Sequence, residues 1–567
     1  MHSQTHPTTL AVLALALASG MGAAQAQTAA PDAGSLMQQI EHGQQPSLPQ
    51  VRRPSVAPQP EMKPVSGMVI TVSRFRFVGN TLLDESRLQP AVAPWVGRPL
   101  DFSELQKAAA AVAAVYREAG WVVRAYLPKQ EIENGVVTIQ IVEAVLGSVL
   151  IEAPESLRLS PEVARRMVSA TQQPGQPLNA EAVDRALLLV DDLPGVTVQG
   201  NLKEGANDGE TDLLLNMEPE PFLSGDVGFD NTGSRSTGGN RVTASLFAGS
   251  PFRLGDQIGV NLIKSEGSEY VRGVYSLPVG NQGWRLGANY SGLRYDVVTP
   301  EFSSYKLRGR SSSAGVDASY PIVRSRMKNL YLRFAWDRKS YYNESLDAAT
   351  SDYGINVASV GLSGNAFDSL GGGGATTGAL TLSSGKVDLG GSPNQVSDAA
   401  GANTQGSYQI YRYALNRLQA ITPDLTLFAA WSGQMASRNL DSGERFYLGG
   451  ANGVRAYPAS EAGGSEGDLI NLELRYRLPA NLSLTGFYDW GRVKVNHNND
   501  FTGAAAKNSL ELQGAGMSMA WASPFRANFR LTWAHRIGTN PNPTATGKDQ
   551  DGTKDLNRFW FMATLPF

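Results

Sequence analysis

The chain lacks cysteine entirely, which excludes disulfides from the interactions that could hold its 567 residues together. Its five histidines show no ligand spacing, so neither a metal nor another cofactor is predicted. A net charge of only −3 does not favour nucleic acid as a partner. Beyond the N-terminus, no apolar run reaches the roughly 18 residues that a membrane-spanning helix needs. The fold must therefore depend on backbone pairing and packing, and any membrane crossing must use β-strands.

The N-terminus has the pattern of an export signal. Residues 9–20 form a short apolar core, and residues 24–26 (Ala-Gln-Ala) form an A-x-A cleavage site. We therefore predict a signal peptide at 1–26; the alternative is a buried N-terminal helix. A region with helical character follows at 27–45, and a proline-rich linker follows at 46–68.

Two tandem modules follow the linker. In the first, an alternating strand precedes a helix whose N-cap is predicted at Asp101, with Glu104 three residues further on. Two further strands complete the module. The stretch GQPLNAEAV then repeats GRPLDFSEL, with Asn179 in place of Asp101, and again two strands follow. This repeat predicts two α+β modules, at 69–145 and 146–218.

The rest of the chain, 219–567, consists of segments of about ten residues in which apolar and polar side chains alternate. In DLINLELRYRLP, for example, Leu472 and Leu474 share one face and Glu473 lies on the other. Short turns alternate with long loops rich in Gly, Asn and Ser, one of them expected at 339–352. These features predict a membrane β-barrel of about 16 antiparallel strands, because bacterial barrels have an even strand number and this loop asymmetry.

Two barrel segments each carry one conspicuous charge. GGANGVRAYP contains Arg455 among glycines, and LTGFYDWG contains Asp489 in an apolar strand. Alternation along that strand points Asp489 into the lumen, on the same face as Ser483 and Thr485. The loop motif comprises Gly449, Gly450, Gly453, Val454, Arg455, Ala456 and Tyr457, and the strand motif comprises Phe487, Asp489 and Gly491.

Several stretches resemble a known family. FRFVGNTLL, the helix ending in YREAGW and LPKQEIENGVVTIQIVEA resemble the polypeptide-transport-associated (POTRA) domain of the ShlB/FhaC type. GANGVRAYP resembles the VRGY/F motif of the sixth surface loop, and GFYDWG resembles the F-x-D strand motif. The chain thus resembles the TpsB transporters of two-partner secretion (ShlB/FhaC/HecB type), relatives of the barrel-assembly protein. Ala456 stands where that family usually has glycine.

The resemblance implies the arrangement of the loop. Its glycines should let it fold back into the lumen, where Arg455 should form a charge-assisted, bidentate bond with Asp489. The alternative is a surface arginine and a lumen aspartate without mutual contact. The final strand resembles the signal read by the barrel-assembly machinery, or is an ordinary core strand. The residues of that signal are Phe559, Phe561, Leu565 and Phe567.

The resemblance also implies the function. The chain should lie in the outer membrane of a Gram-negative bacterium, with its POTRA domains in the periplasm and the N-terminal helix as a plug. It should export an unfolded, large β-helical partner protein of the haemolysin, adhesin or haemagglutinin kind without ATP. Other expected partners are the barrel-assembly machinery during biogenesis and outer-membrane lipid or lipopolysaccharide. Strand addition to the second module should capture the client. The predicted docking residues are Val183, Leu187, Val190, Val198 and Leu214.

Three other functions compete with this interpretation. A barrel-assembly or insertase component usually carries more POTRA modules than the two for which there is room here. A diffusion porin would have no use for periplasmic modules. The G-x-S-x-G pattern at 463–467 lies between a loop and a strand, whereas the hydrolase motif needs a strand before it and a helix after it. We therefore do not predict an enzyme.

Overall fold

A computed structural model describes residues 31–42, 69–207, 209–459 and 461–567. The predicted signal peptide and the proline-rich linker lie outside these described residues. The first element among the described residues is the helix α1 (Ala33–His42). No helix in the described ranges is both long and apolar enough to cross a membrane.

The first module packs two helices against a three-stranded sheet in which β5 (Val136–Glu143) lies between β2 (Arg74–Val78) and β4 (Val123–Tyr126). Its elements are β1 (Ile70–Thr71), β2 (Arg74–Val78), α2 (Glu85–Val92), a 3-10 turn (Ala93–Trp95), β3 (Pro99–Leu100), α3 (Phe102–Glu118), β4 (Val123–Tyr126) and β5 (Val136–Glu143). The predicted cap of α3 is observed, because the Asp101 carboxylate accepts a 2.8 Å hydrogen bond from the Glu104 amide. Leu105, Val112 and Tyr116 then recur at helical spacing and are buried in the core of the module.

The second module repeats the plan with a three-stranded sheet in which β8 (Glu210–Pro219) lies between β6 (Val145–Glu152) and β7 (Val196–Glu204). Its elements are β6 (Val145–Glu152), α4 (Pro161–Thr171), α5 (Ala180–Asp191), β7 (Val196–Glu204) and β8 (Glu210–Pro219). The second predicted cap is also made, since Asn179 accepts from the Ala182 amide at 2.9 Å. Backbone hydrogen bonds join the modules: Val122 donates to Leu178 at 3.0 Å, and Leu178 donates to Ala144 at 2.7 Å.

A closed barrel of sixteen antiparallel strands follows, which confirms the predicted fold and strand number. The barrel strands are β9 (Leu223–Asp230), β10 (Arg241–Gly249), β11 (Gln257–Lys264), β12 (Ser268–Val279), β13 (Trp284–Asp296), β14 (Arg308–Arg324), β15 (Lys328–Ser345), β16 (Ala348–Asp368), β17 (Gly374–Asp388), β18 (Gly406–Ala420), β19 (Leu425–Ala436), β22 (Glu466–Leu478), β23 (Leu482–Lys494), β24 (Ser509–Ala522), β25 (Asn528–Arg536) and β26 (Asn557–Pro566). The loops add four 3-10 turns (Arg235–Thr237, Pro300–Tyr305, Leu370–Gly372 and Ser442–Glu444), the helix α6 (Gln395–Ala400) and the two-residue strands β20 (Phe446–Tyr447) and β21 (Gly463–Gly464).

Each barrel strand pairs with the next barrel strand along the chain, and β26 pairs with β9 to close the barrel. The one wrong loop prediction is 339–352, where β15 and β16 continue as strands to a two-residue turn. The cause is the packing on the inner face. Tyr341 and Tyr353 are register partners there, their ring centroids lie 5.3 Å apart, and both pack in the cluster that contains α1.

Candidate functional site

The loop between β19 and β22, residues 437–465, folds back against the inner wall of the barrel. Its hairpin pairs β20 with β21, and Val454, Ala456 and Tyr457 are buried in one apolar cluster with wall residues of β23, β24 and β25. This burial requires a very tight loop tip, which the glycines permit.

At three positions of the loop motif, steric constraints explain why the residue is glycine. A Cβ on Gly449 would lie 2.0 Å from the Pro458 carbonyl oxygen, and one on Gly453 would lie 1.9 Å from the Leu448 oxygen. Gly450 has φ of +103°, a conformation that side chains disfavour. On the wall, a Cβ on Gly491 would lie 2.6 Å from Leu448, so the strand motif also leaves room for the loop.

Arg455 and Asp489 meet at the loop tip. The arginine Nε donates to Oδ2 of Asp489 at 2.9 Å and its Nη2 donates to Oδ1 at 2.7 Å, while its backbone amide donates to Oδ2 at 3.0 Å. Asn471 donates a further hydrogen bond to Oδ1 at 2.8 Å. Asp489 is fully buried, so every one of these donors compensates a carboxylate removed from water.

A second carboxylate completes the surroundings of the guanidinium. Arg455 Nη1 donates to Glu473 at 2.7 Å, and Arg475 forms an ion pair with Glu473 at 2.7 Å. The guanidinium also lies 3.5 Å from the ring centroid of Phe487. Sequence reasoning did not include Glu473 or Asn471 in the site. The β22–β23 register could have found them, since it pairs Asn471 with Asp489 and Glu473 with Phe487.

The departure from the family pattern at Ala456 is accommodated by the wall. Ala456 is fully buried, and a Cβ added to Gly514 on β24 would lie 2.7 Å from its methyl group. The methyl therefore fits because the opposing strand carries a glycine. Next to it, Trp560 on β26 donates its indole N–H to the Arg455 carbonyl at 2.8 Å, and Arg536 lies 4.3 Å from the Tyr457 ring.

The base of the loop has an anchor of its own. Glu444 is 1% exposed and forms ion pairs with Lys339 at 2.7 Å and Arg412 at 3.2 Å. The Gln434 side chain donates both to the Glu444 carbonyl at 3.0 Å and to the Ser465 carbonyl at 3.1 Å. Gln434 thus holds the two ends of the loop together. The sequence offers no spacing that would reveal this anchor.

The helix α1 lies inside the barrel, on the segment Ser442–Glu444 and the inward faces of β12, β13, β14 and β15. Its apolar residues Ala33, Leu36 and Met37 are buried among lumen tyrosines. Polar bonds hold both ends of the helix. They are Ser442 to Asp32 at 2.7 Å, Ala33 to Asn343 at 2.8 Å, Ser291 to Glu41 at 2.7 Å and Arg272 to Glu41 at 3.5 Å. Gly34 is required by the fit, because a Cβ there would lie 2.7 Å from Ser442 Oγ.

Four of the predicted client-docking residues belong to or pack against the core of the second module, and Leu214 is buried outside that cluster. Val183, Val190 and Leu214 are buried, and Leu187 and Val198 pack against the core. None of these five side chains is exposed, so their apolar atoms serve packing within the module. Leu214 also lies on β8, the central strand, so it cannot present a sheet edge; Val198 lies on β7, an outer strand.

The polar side of α5 contacts the barrel. Asp192 forms a bidentate ion pair with Arg324, both bonds at 2.7 Å, and Asp184 pairs with Arg326 at 2.6 Å. Arg185 donates to the Pro321 carbonyl at 2.7 Å. These bonds seat the second module on the turn between β14 and β15, so α5 is covered on two sides. Nothing in the sequence indicated this junction.

Three residues of the predicted assembly signal lie on β26, and the fourth, Phe567, directly follows it. Phe559, Leu565 and Phe567 are exposed on the outer surface, while Phe561 is half-buried beside Phe229, with ring centroids 6.3 Å apart.

Comparison with known families identifies the chain's relatives. A family model for the haemolysin secretion/activation proteins ShlB/FhaC/HecB matches residues 209–520, more than half of the chain. The chain belongs to this family. A model for the ShlB-type POTRA domain matches residues 70–144, the first module. That the second module is also a POTRA domain remains a prediction from the repeat.

Individual relatives agree with the family. The chain is 26% identical over 519 residues to the heme/hemopexin transporter protein HuxB of Haemophilus influenzae, covering 88% of this chain and 90% of the relative. Among solved structures, CdiB from Escherichia coli is similar with a TM-score of 0.68 at 20% identity, covering 90% of this chain and 93% of that one. BamA from Haemophilus ducreyi, lacking POTRA domains 1–3, is similar with a TM-score of 0.52 at 15% identity, covering 88% and 100%.

These findings settle the general function. The family and its relatives make the chain an outer-membrane transporter of a two-partner secretion system, with its POTRA region in the periplasm. The likeness to BamA shows a shared fold alone, so the insertase alternative has less support.

Proposed function

We propose that the transporter exports one unfolded partner protein through its lumen and that α1 closes the lumen at rest. The observation that carries the proposal is the seat of α1, which is held at both ends by wall and loop side chains. A ten-residue helix is marginal in water by itself, so its order depends on this seat. To let a client pass, the helix must leave the lumen.

The client is a large β-helical protein of the haemolysin, adhesin or haemagglutinin kind. It crosses in extended form and folds at the cell surface. The periplasm has no ATP. Folding of the client at the cell surface prevents it from sliding back through the lumen, so folding makes the transport unidirectional. The barrel-assembly machinery inserts the transporter by reading the C-terminal aromatic residues, and lipid and lipopolysaccharide surround the barrel.

Client capture occurs by strand addition to β7, the outer strand of the second sheet. The Val198 amide on this strand already donates to Asp191 at 2.8 Å. Since backbone amides alternate in direction along a strand, the amides of Gly200 and Leu202 point the same way, to the outer side of the sheet. The part of β7 near Leu202 therefore offers main-chain donors without requiring a particular client sequence.

Two experiments test the proposal. Deletion of the gene should remove one large protein from the culture medium while other secreted proteins remain. Deletion of residues 34–45 should raise single-channel conductance in planar bilayers. Unchanged conductance and unchanged open lifetime would reject the plug, and an unchanged medium would reject the exporter.

A further inference from the structure

The closing seam of the barrel is its shortest strand pairing. β26 and β9 share five register pairs, from Met562–Asp230 to Pro566–Asp226, whereas β26 and β25 share eight. The surface half of β26, residues 557–561, therefore has a strand partner on one side only within the described part of the chain. Something other than a ladder must hold its second side.

Asn231 occupies that second side. Its Nδ2 donates to the Phe559 carbonyl at 3.0 Å, and its Oδ1 accepts from the Phe561 amide at 2.7 Å. Its backbone amide donates to the Phe561 carbonyl at 3.2 Å. One asparagine thus replaces the missing ladder with three hydrogen bonds, directly beyond the last residue of β9.

Trp560 holds the same segment from the lumen side. It is buried, and its indole N–H donates to the Arg455 carbonyl. The Arg455 side chain reaches the opposite way, to Asp489 on β23. A single residue of the folded-back loop therefore connects β23 through its guanidinium and β26 through its carbonyl.

We propose that Trp560 is a positioning residue that ties the loop tip to the closing strand, and that Asn231 extends the seam above its last ladder pair. The loop tip and the surface half of the seam are then ordered together, so release of the tip loosens residues 557–561. This coupling goes beyond the proposed function and depends on neither the plug nor the identity of the client.

Peptide-level hydrogen exchange on the full chain in detergent micelles tests the coupling. Trp560→Phe keeps an aromatic ring but removes the donor, and it should accelerate exchange in 557–561 about three- to tenfold, the range for one hydrogen bond. Arg455→Ala should do the same, and should add nothing in the Trp560→Phe background. Asn231→Ala should accelerate exchange at 559–561 alone. Trp521→Phe is the matched control, because Trp521 stacks on Phe529 away from the loop.

For variants that assemble poorly, the substitutions are also made in a parent protein whose seam is closed by a disulfide. The chain has no cysteine, so Val227→Cys with Leu565→Cys, two register partners, forms one defined disulfide across the paired half of the seam. The same comparisons are repeated there. The proposal is overturned if Trp560→Phe leaves exchange at 557–561 unchanged. It is also overturned if Arg455→Ala accelerates exchange equally with and without the Trp560 indole.

Discussion

The Arg455 guanidinium donates two hydrogen bonds to the Asp489 carboxylate, at 2.7 and 2.9 Å. The two residues are 34 positions apart in the chain. The same carboxylate also accepts from the Arg455 backbone amide. The aspartate thus fixes both the side chain and the peptide of the loop tip. A lysine in place of the arginine would keep the charge but lose the fork that makes the bidentate contact.

We first predict that Arg455→Ala and Asp489→Ala each reduce secretion strongly and that their effects do not add. Removing one partner leaves the other charge buried, which costs about 3–5 kcal/mol, and the second substitution relieves that cost. The measurement is a double-mutant cycle on secretion rate, with barrel amount and heat-modifiability as controls for assembly. Arg475→Ala, which loses a bond to Glu473 but none to the loop, serves as the matched variant. Independent, multiplying effects would contradict the prediction.

The second prediction concerns the fit between Ala456 and Gly514. Gly514→Ala should lower the thermal stability of the folded barrel, because two methyl groups would then lie 2.7 Å apart and overpacking costs about 1–3 kcal/mol. Ala456→Gly should restore stability in that background by removing the other methyl. Heat-modifiability on gels measures both. If Ala456→Gly fails to rescue, the two residues do not form a size-matched pair.

The sequence predicted the structure wherever residues of one kind recur with the period of their helix or strand. Alternation predicted the sixteen strands, and the repeated caps at Asp101 and Asn179 predicted α3 and α5. The inward direction of Asp489 followed from the same period of two. Glu444 and Arg324 could not be predicted, because their partners lie on distant strands or in another module, and no local pattern encodes those distances.

The docking residues show a different limitation. An apolar, amphipathic α5 has the same pattern whether its apolar face receives a client or fills its own core. Val183 and Val190 fill the core. Sheet order decides which strand is an edge, and the order β6-β8-β7 places the last strand in the middle. Periodicity along a chain contains no information about that order.

The third prediction is that Glu444→Gln opens the resting channel without altering α1 itself. The substitution removes the charge that pairs with Lys339 and Arg412, so the neighbouring Ser442 and Gly443 should shift and the seat of α1 should loosen. Open probability in planar bilayers should rise toward that of the 34–45 deletion. Glu473→Gln, on the wall strand β22 beside the loop tip, is the control for loss of one lumen carboxylate. Equal open probability of Glu444→Gln and the unaltered protein would show that the seat does not depend on this anchor.

The fourth prediction concerns acid stability of the first module. Burial would raise the pKa of Glu143, but hydrogen bonds from Thr81, Leu82 and Tyr116 outweigh it and hold the pKa below its ordinary value. A lowered folded-state pKa stabilises the fold above the unfolded value of about 4.3, and that stabilisation is lost as the pH falls through the folded value.

Hydrogen exchange in the first module of the full chain should therefore change little from pH 7 to pH 5, after correction for intrinsic rates. Protection should then fall below about pH 4. Glu143→Gln should remove most of this acid sensitivity, because glutamine does not titrate. Glu131→Gln is the control, since Glu131 is a carboxylate of the same module without these bonds to Thr81, Leu82 and Tyr116. Equal acid sensitivity of both variants would assign the effect to other groups.

The last prediction tests β7 as the docking edge. Leu202→Pro removes one main-chain donor from the outer strand, and it should weaken binding of the client's N-terminal domain about tenfold or more, since strand addition depends on such donors. Leu202→Ala is the matched control: it removes the side chain, which is 46% exposed, but keeps the N–H, so its affinity should stay within about twofold. Binding is measured on the full-length transporter, with the ion pair between Asp192 and Arg324 intact so that the module remains seated. Unreduced affinity in both variants would show that the client does not add to this strand, whereas a similar loss in both would indicate side-chain recognition in place of main-chain pairing.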